Sequence, residues 1–376
     1  MQTFDYLIIG GGIFGAYTAK YLTELGKKTC LIEKENELFL KASIINQARL
    51  HSGYHYPRSI TTAYIADEYK ERFIREHKDF INSAFEQYYA IDRYSSLTDS
   101  EQFERFCNFL NIKAEKIDTH SLFNFRRIEK LYLTEEYSFD PLLIADYYKS
   151  KLNNQKNLKI KLNCTVEETE QIDDFWKVRL RENGELISLK AFSVVNATYS
   201  GTNTINRLFN VRQIDLQHEI TEMVFLSNKQ LFNVGLTIMD GQFCSMMPYG
   251  LSEFISISSV SYTHHEVSYS REPTFSCQKI NKDCQPDCIS VCSICPAKPP
   301  SNRMKMIKHM EKYLKHKISF DEIYSRYTIK SKLQASYIDD GRPTEISKFS
   351  SNPDFYCIFA GKINSIYAIE KEINNE

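Results

Sequence analysis

FDYLIIGGGIFG, Phe4 to Gly15, runs a short apolar, β-rich stretch into a cluster of glycines, and the AYTAKYLTELG that follows repeats apolar residues at helical spacing. The expected order is strand, glycine turn, helix. A second apolar run, KTCLIE, ends on Glu33, 23 residues past Gly10. In that context Gly10, Gly12 and Gly15 have distinct physical tasks. Gly10 permits a tight turn, Gly12 lets the backbone approach a pyrophosphate, and Gly15 lets the helix pack closely on the strand. Ile13 and Phe14 open the helix, whose unpaired N–H groups and positive dipole end suit phosphate. Glu33 can accept hydrogen bonds from a ribose diol, and Lys34 and Ser43 join this candidate nucleotide-binding set.

Composition narrows what such a unit serves. The chain has 376 residues, 42% of them hydrophobic, enough for one large or two moderate cores. A formal net charge of −1 argues against nucleic acid and against an anionic membrane surface as partners. No apolar run approaches the roughly 20 residues of a membrane span. Met1 leads straight into the strand without a basic leader or a small-residue cleavage site, so no targeting segment is expected and the cytoplasm is the expected location. In a chain this long and without a leader, the ten cysteines are expected to be mostly reduced.

Beyond Glu33 the chain reads KENELFLKASIINQARLHSGYHYPRS, in which Asn46, Leu50, His51, Gly53 and Tyr56 keep a characteristic spacing. This segment resembles the D-amino-acid-oxidase-type superfamily of FAD-dependent oxidoreductases, and within it the L-2-hydroxyglutarate oxidase or dehydrogenase branch. Three further stretches carry the resemblance. Phe139-Asp140-Pro141 opens a helix, with Asp140 as cap and Pro141 at its first position. SVVNATYSG, Ser193 to Gly201, places Ala197 and Thr198 beside a cofactor, with Tyr199 bulkier than the family pattern. IDDGRP, which includes Arg342, and then FYCIFAGKINSIYAIEKEI form the closing element. There Gly361, Lys362, Ile363 and Asn364 would meet the flavin, and a helix starting near Asn364 would aim its dipole at the ring.

The resemblance implies an α/β fold: a Rossmann-like FAD-binding domain of the two-dinucleotide-fold type, with a substrate domain on a mostly antiparallel sheet. Segments 1–80, 137–210 and 325–376 are assigned to the FAD-binding domain, and 81–136 and 211–324 to the substrate domain. Strand-like alternation in EQYYAIDRYSS, KLYLTEEYSF, ITEMVFLS, QFCSMMPYG and EFISISSVSY, with helical spacing in SEQFERFCNFL, fits such a second domain. Glu219 of the His218-Glu219 pair matches an acidic position of the branch.

The implied chemistry is hydride transfer from a small substrate, here a 2-hydroxy acid, to FAD, with oxygen, a quinone or a carrier protein as the final acceptor. The flavin supplies the hard step. His51 is the candidate base and also a candidate flavin neighbour, with His55 as a second base and Gly53 permitting close approach to the ring. Arg49 and Arg58 are candidate carboxylate ligands. If the segment is extended, Tyr54 and Tyr56 point to opposite faces, leaving Tyr56 for the pocket. The pair His264-His265 falls at the end of a substrate-domain strand. Two alternatives stand beside this reading: oxidation of an amine, amino acid or amino sugar on the same fold, and a non-catalytic flavin- or metal-binding scaffold.

One insertion departs from the pattern. Residues 277–300 hold Cys277, Cys284, Cys288, Cys292 and Cys295, half the cysteines of the chain. The C-x3-C-x3-C-x2-C spacing of the last four matches no complete zinc or ferredoxin pattern. The preferred reading is an insertion of reduced thiols without metal; the alternative is a metal site at Cys284, Cys288, Cys292 and Cys295.

Overall fold

The computed structural model of the chain describes residues 1–61, 63, 68–334 and 344–374. Strands are numbered in chain order. The opening run forms β1 (Gln2–Ile9), parallel both to β2 (Thr29–Ile32) and to β12 (Glu185–Asn196). Parallel pairing continues from β2 to β9 (Leu158–Lys161) and from β12 to β20 (Asp354–Phe359). Central parallel strands are covered on both faces, which explains why FDYLII and SVVN read as near-continuous apolar runs rather than alternating ones. An antiparallel extension of β10 (Cys164–Ile172) and β11 (Phe175–Glu182) joins β12, and β19 (Glu345–Ser350) edges β20. The helix Ile13–Glu24 packs on this sheet together with the helix Pro141–Asn153.

A second sheet has the order β17, β13, β16, β15, β14, β5, β7, β6, with β18 also on β13. Its strands are β5 (Glu86–Asp92), β6 (Ala114–Ile117), β7 (Ile128–Thr134), β13 (Leu216–Ser227), β14 (Val234–Met239), β15 (Cys244–Pro248), β16 (Phe254–Ser259), β17 (His264–Ser268) and β18 (Ile323–Leu333). Pairing is antiparallel except between β14 and β5. A small third sheet, of β3 (Arg49–Leu50), β8 (Tyr137–Phe139) and β4 (Ile81–Asn82), lies between the two in sequence. Among the described residues no helix is long and apolar enough to cross a membrane.

The caps behave as their residue types require. The Asp140 carboxylate accepts from the Leu142 and Leu143 N–H groups (3.1 and 3.0 Å) with Pro141 at the first helical position. Its second oxygen accepts from Leu251 N–H (3.0 Å), which fastens that helix to the turn between β15 and β16. SEQFERFCNFL forms the helix Ser100–Leu110 behind an Asp99/Gln102 capping box.

Four local expectations are corrected. NQARLHSGYHYPRS is strand only at Arg49–Leu50; after it the chain turns, with Gly53 at φ +94°, so Tyr54 and Tyr56 enter one buried cluster instead of opposite faces. KLYLTEEYSF breaks into β7 and β8 at Glu135-Glu136. EFISISSVSY ends as a strand at Ser259 and continues as a single helical turn, Val260–Thr263. The closing helix starts as a 3-10 turn, Ile363–Tyr367, before the α-helix Ala368–Asn374. IDDGRP with Arg342, and Thr62 and residues 64–67, lie outside the described residues.

Candidate active site

The β1 turn builds the first wall of a cavity of about 1270 Å³. A Cβ on Gly15 would fall 1.9 Å from the Gly10 carbonyl oxygen, and one on Gly10, which sits at φ +107°, would fall 2.7 Å from that of Ala197. The glycines therefore set the contact between turn, helix and β12. Gly12 precedes the helix, 3.0 Å from the Ser43 hydroxyl at its Cβ position, and Ser43 Oγ accepts from the Ile13 N–H (3.0 Å). Glu33 accepts from Gly11 N–H (2.6 Å) and Glu35 N–H (3.0 Å), which holds its carboxylate at the cavity edge. Burial and the neighbouring Lys41 hold the Lys34 ammonium down to about 8.

Across the cavity, Asn196 ties the end of β12 into a tight turn by accepting from Thr198 N–H and Oγ–H (3.1 and 2.6 Å). Tyr199 stacks its ring on Phe359 (5.6 Å between centroids) and donates its hydroxyl to the Ser331 carbonyl, and it lines the cavity beside Ala197 and Thr198. Gly361, Lys362 and Ile363 line the next section, and a Cβ on Gly361 would meet nothing within 4 Å. A glycine cradle that side chains would fill, an acid beyond it and a small-residue floor fit the ADP part of a dinucleotide. Gly361 to Ile363 fit its ring.

His51, His55, Tyr56 and Arg58 line the wall opposite. The His51 ring lies 5.6 Å from that of His55 and 5.5 Å from that of Tyr56, and the Lys362 ammonium lies 4.9 Å from the Tyr56 ring. Asp240 accepts from Arg58 Nε (2.5 Å) and Nη2 (3.3 Å). Above them β13, β17 and β18 form a roof: Glu219 receives His264 Nδ1 (3.0 Å), Lys332 Nζ (3.1 Å) and Gln217 Nε2 (2.7 Å). Burial opposes the Glu219 charge, but the His264 hydrogen bond, with Lys330 and Lys332, outweighs it and holds the carboxylate well below its usual range. His265 lies behind the roof and pairs with Glu222 (2.9 Å).

Some sequence-predicted residues lie elsewhere or act otherwise. Arg49 is buried, and its Nη1 and Nη2 groups are taken by Glu136 (2.6 Å), Tyr89 (2.7 Å), Thr237 (2.7 Å) and Ser245 (2.7 Å), so it braces the wall instead of presenting a clamp to a substrate carboxylate. Gly53 does not line the cavity; its positive φ serves a turn against Ala63. Gly15 and Asn364 are likewise behind the lining, Gly15 as the helix contact and Asn364 inside the 3-10 turn. The alternative metal set does not converge. Cys284 and Cys295 are buried, Cys288 is exposed, and among the described residues no three His, Cys, Asp or Glu side chains are placed to hold a metal.

Sequence reasoning missed three contributors. Asp240 and Glu136 sit where strands end, a position that spacing alone does not mark. The third is the cysteine-rich insertion: Asp287 to Ser290 line the cavity beside Glu33, and the Ile289 carbonyl accepts from Lys34 Nζ and from Lys41 Nζ (3.0 Å).

A parallel sheet whose strands β1, β12 and β20 all end on one cavity, roofed by a mostly antiparallel sheet, defines a two-dinucleotide-fold flavoprotein. The chain belongs to the FAD dependent oxidoreductase (DAO) family, whose model matches residues 5–267. It is similar to an FAD-dependent monooxygenase, FPY4, of Fusarium mangiferae, 22% identical over 370 residues, covering 97% of this chain and 89% of that protein. Among solved structures, glycine oxidase from Geobacillus kaustophilus matches with TM-score 0.72 at 11% identity, over 100% of this chain and 94% of that one. L-alpha-glycerophosphate oxidase from Mycoplasma pneumoniae matches with TM-score 0.71 at 15% identity, over 100% and 94%. The protein is thus an FAD-dependent oxidoreductase with a DAO-type fold.

Proposed function

We propose that the chain oxidises a small 2-hydroxy acid to the corresponding 2-oxo acid, in the manner of the L-2-hydroxyglutarate branch. FAD, when bound, supplies the hydride acceptor. Residues 1–80, 137–210 and 325–376 are assigned to its binding and 81–136 and 211–324 to the substrate, with Gly10, Gly12, Glu33 and Ala197 along the dinucleotide and Gly361 to Ile363 at the ring. His51 takes the hydroxyl proton as the carbon-bound hydrogen leaves, and Arg58, oriented by Asp240, meets the carboxylate. The roof cations Lys330 and Lys332 and the buried walls orient the acid and exclude water.

The observation that carries this reading is the His51 imidazole on the cavity wall, with a buried carboxylate 3.9 Å behind its Nδ1 and a cation, Arg58, on the same wall. A base and an anion site are what hydroxy-acid oxidation asks of the protein; a neutral amine can be oxidised without the base. The test is anaerobic bleaching of the flavin across 2-hydroxy acids, amino acids and amino or deoxy sugars. Bleaching by 2-hydroxy acids alone supports the proposal, and bleaching by amino acids alone overturns it in favour of amine oxidation. Reoxidation of the bleached enzyme by oxygen, a quinone or a carrier protein then identifies the acceptor.

A further inference from the structure

Glu136 occupies the break between β7 and β8, and its side chain is fully buried. One oxygen, Oε2, accepts from Arg49 Nη1 (2.6 Å) and from the Tyr89 hydroxyl (2.7 Å). The other, Oε1, accepts from Ser52 N–H (3.1 Å) and faces His51 Nδ1 at 3.9 Å. Ser52 Oγ also donates to the Glu135 carbonyl (3.1 Å), so the Glu135-Glu136 break grips the residue immediately after His51 by both backbone and side chain. A buried ion pair by itself is weak evidence for stability, because desolvation offsets its attraction. This one is arranged asymmetrically, with the cation on Oε2 and the imidazole on Oε1.

We propose that Glu136 is the positioning residue of His51: it fixes the imidazole with the proton on Nδ1, so that Nε2 faces the cavity as the acceptor, and it stabilises the imidazolium. This rests on the assignment of His51 as base. As the substrate O–H proton moves to Nε2, the carbon-bound hydrogen would leave with its two electrons to the hydride acceptor that a bound FAD supplies, and His51 would carry one positive charge. Glu136 offsets that charge without moving, since Arg49 and Tyr89 hold it in place. A contact of 3.9 Å closes to hydrogen-bond length when the base is engaged, as catalytic hydrogen bonds commonly do. Titratable and charged groups around His51 include His55 and Tyr56 beside it, Arg58 on the same wall, Arg49 and Tyr89 behind Glu136, and Lys362 beyond the Tyr56 ring.

Nitrogen-15 histidine NMR of the FAD-loaded protein tests the inference without any substrate, with the His51 signals identified by their loss in His51→Asn. Neutral His51 is expected as the Nδ1–H tautomer in the native protein, and Glu136→Gln is expected to abolish that preference. An Nε2–H tautomer in the native protein overturns the proposal. In turnover, Glu136→Gln is expected to slow flavin reduction by about tenfold or more at saturating substrate, with KM little changed, and to move the acid limb of its pH profile to lower pH. An unchanged rate and limb would also overturn it. If Glu136→Gln fails to fold, Arg49→Met/Glu136→Gln removes both buried charges and carries the same expectations. Failure of every 2-hydroxy acid to bleach the flavin would sink the substrate assignment but leave the tautomer result standing.

Discussion

Removing the Arg49 guanidinium would strand a buried carboxylate. Arg49→Ala is expected to cost about 3–5 kcal/mol of stability, because Glu136 loses its cation in a water-free site. Urea unfolding checks it, and a cost under about 1 kcal/mol would return Arg49 to the role of substrate ligand. Glu33→Ala is expected to weaken FAD binding by about 1.5–3 kcal/mol, the worth of hydrogen bonds to a charged group, as read by flavin fluorescence on titration. Gly10, Gly12 and Glu33 are expected at the cavity from their offsets to strand ends, and His51 and Ala197 from the family resemblance; the structure brings all five to the cavity lining. Arg49 was legible as important and misread in kind: spacing shows a polar residue beside a flavin segment, but not that Tyr89, Thr237 and Ser245 come from other strands to saturate it.

Among the elements, the cysteine-rich insertion has the largest unforeseen effect. Its apolar side, Cys284 and Ile289, packs with Phe275 just before it and with Tyr327 and Ile329 of β18, while its Ile289 carbonyl closes on Lys34 across a sequence separation of 255 residues. No local pattern announces such a contact. Replacing Asp287–Ser290 by two glycines should speed FAD loss on dilution by roughly three- to tenfold, the worth of one hydrogen bond of about 0.5–1.5 kcal/mol. An unchanged release rate would make the insertion a bystander. The segments that were read well, such as Ser100–Leu110 and Pro141–Asn153, carry their own start signals in Asp99 and Asp140. Those misread, at Glu135-Glu136 and after Arg49, are places where tertiary pairing interrupts an alternating pattern.

For the molecule as a whole, parallel strands ending on one cavity followed from the repeated strand-then-small-residue pattern. The β10–β11 hairpin is not among the expected strands, although its two-residue Asp173-Asp174 turn, with Asp173 at φ +46°, is a turn signal, and the parallel β14–β5 pairing joins strands far apart in sequence, with no local signature. Acid sensitivity is also a property of the assembled sheets. His218, where β13 meets β18, is buried against Ser331, and burial pushes its imidazole down to about 4. The unfolded chain takes up a proton near 6.5 that the folded chain refuses, so this contribution is intact above about 6.5 and is lost as pH falls toward 4. Thermal melts should drop over that window, and His218→Gln should flatten the drop; an equal drop in the variant would place the sensitivity elsewhere. The central claim, that this flavoenzyme uses His51 as its base, is tested most directly by single-turnover anaerobic flavin reduction in the native protein and in His51→Gln. The account predicts a fall of about 10²–10⁴ in the reduction rate with FAD retained, and an equal rate in the two proteins would contradict it.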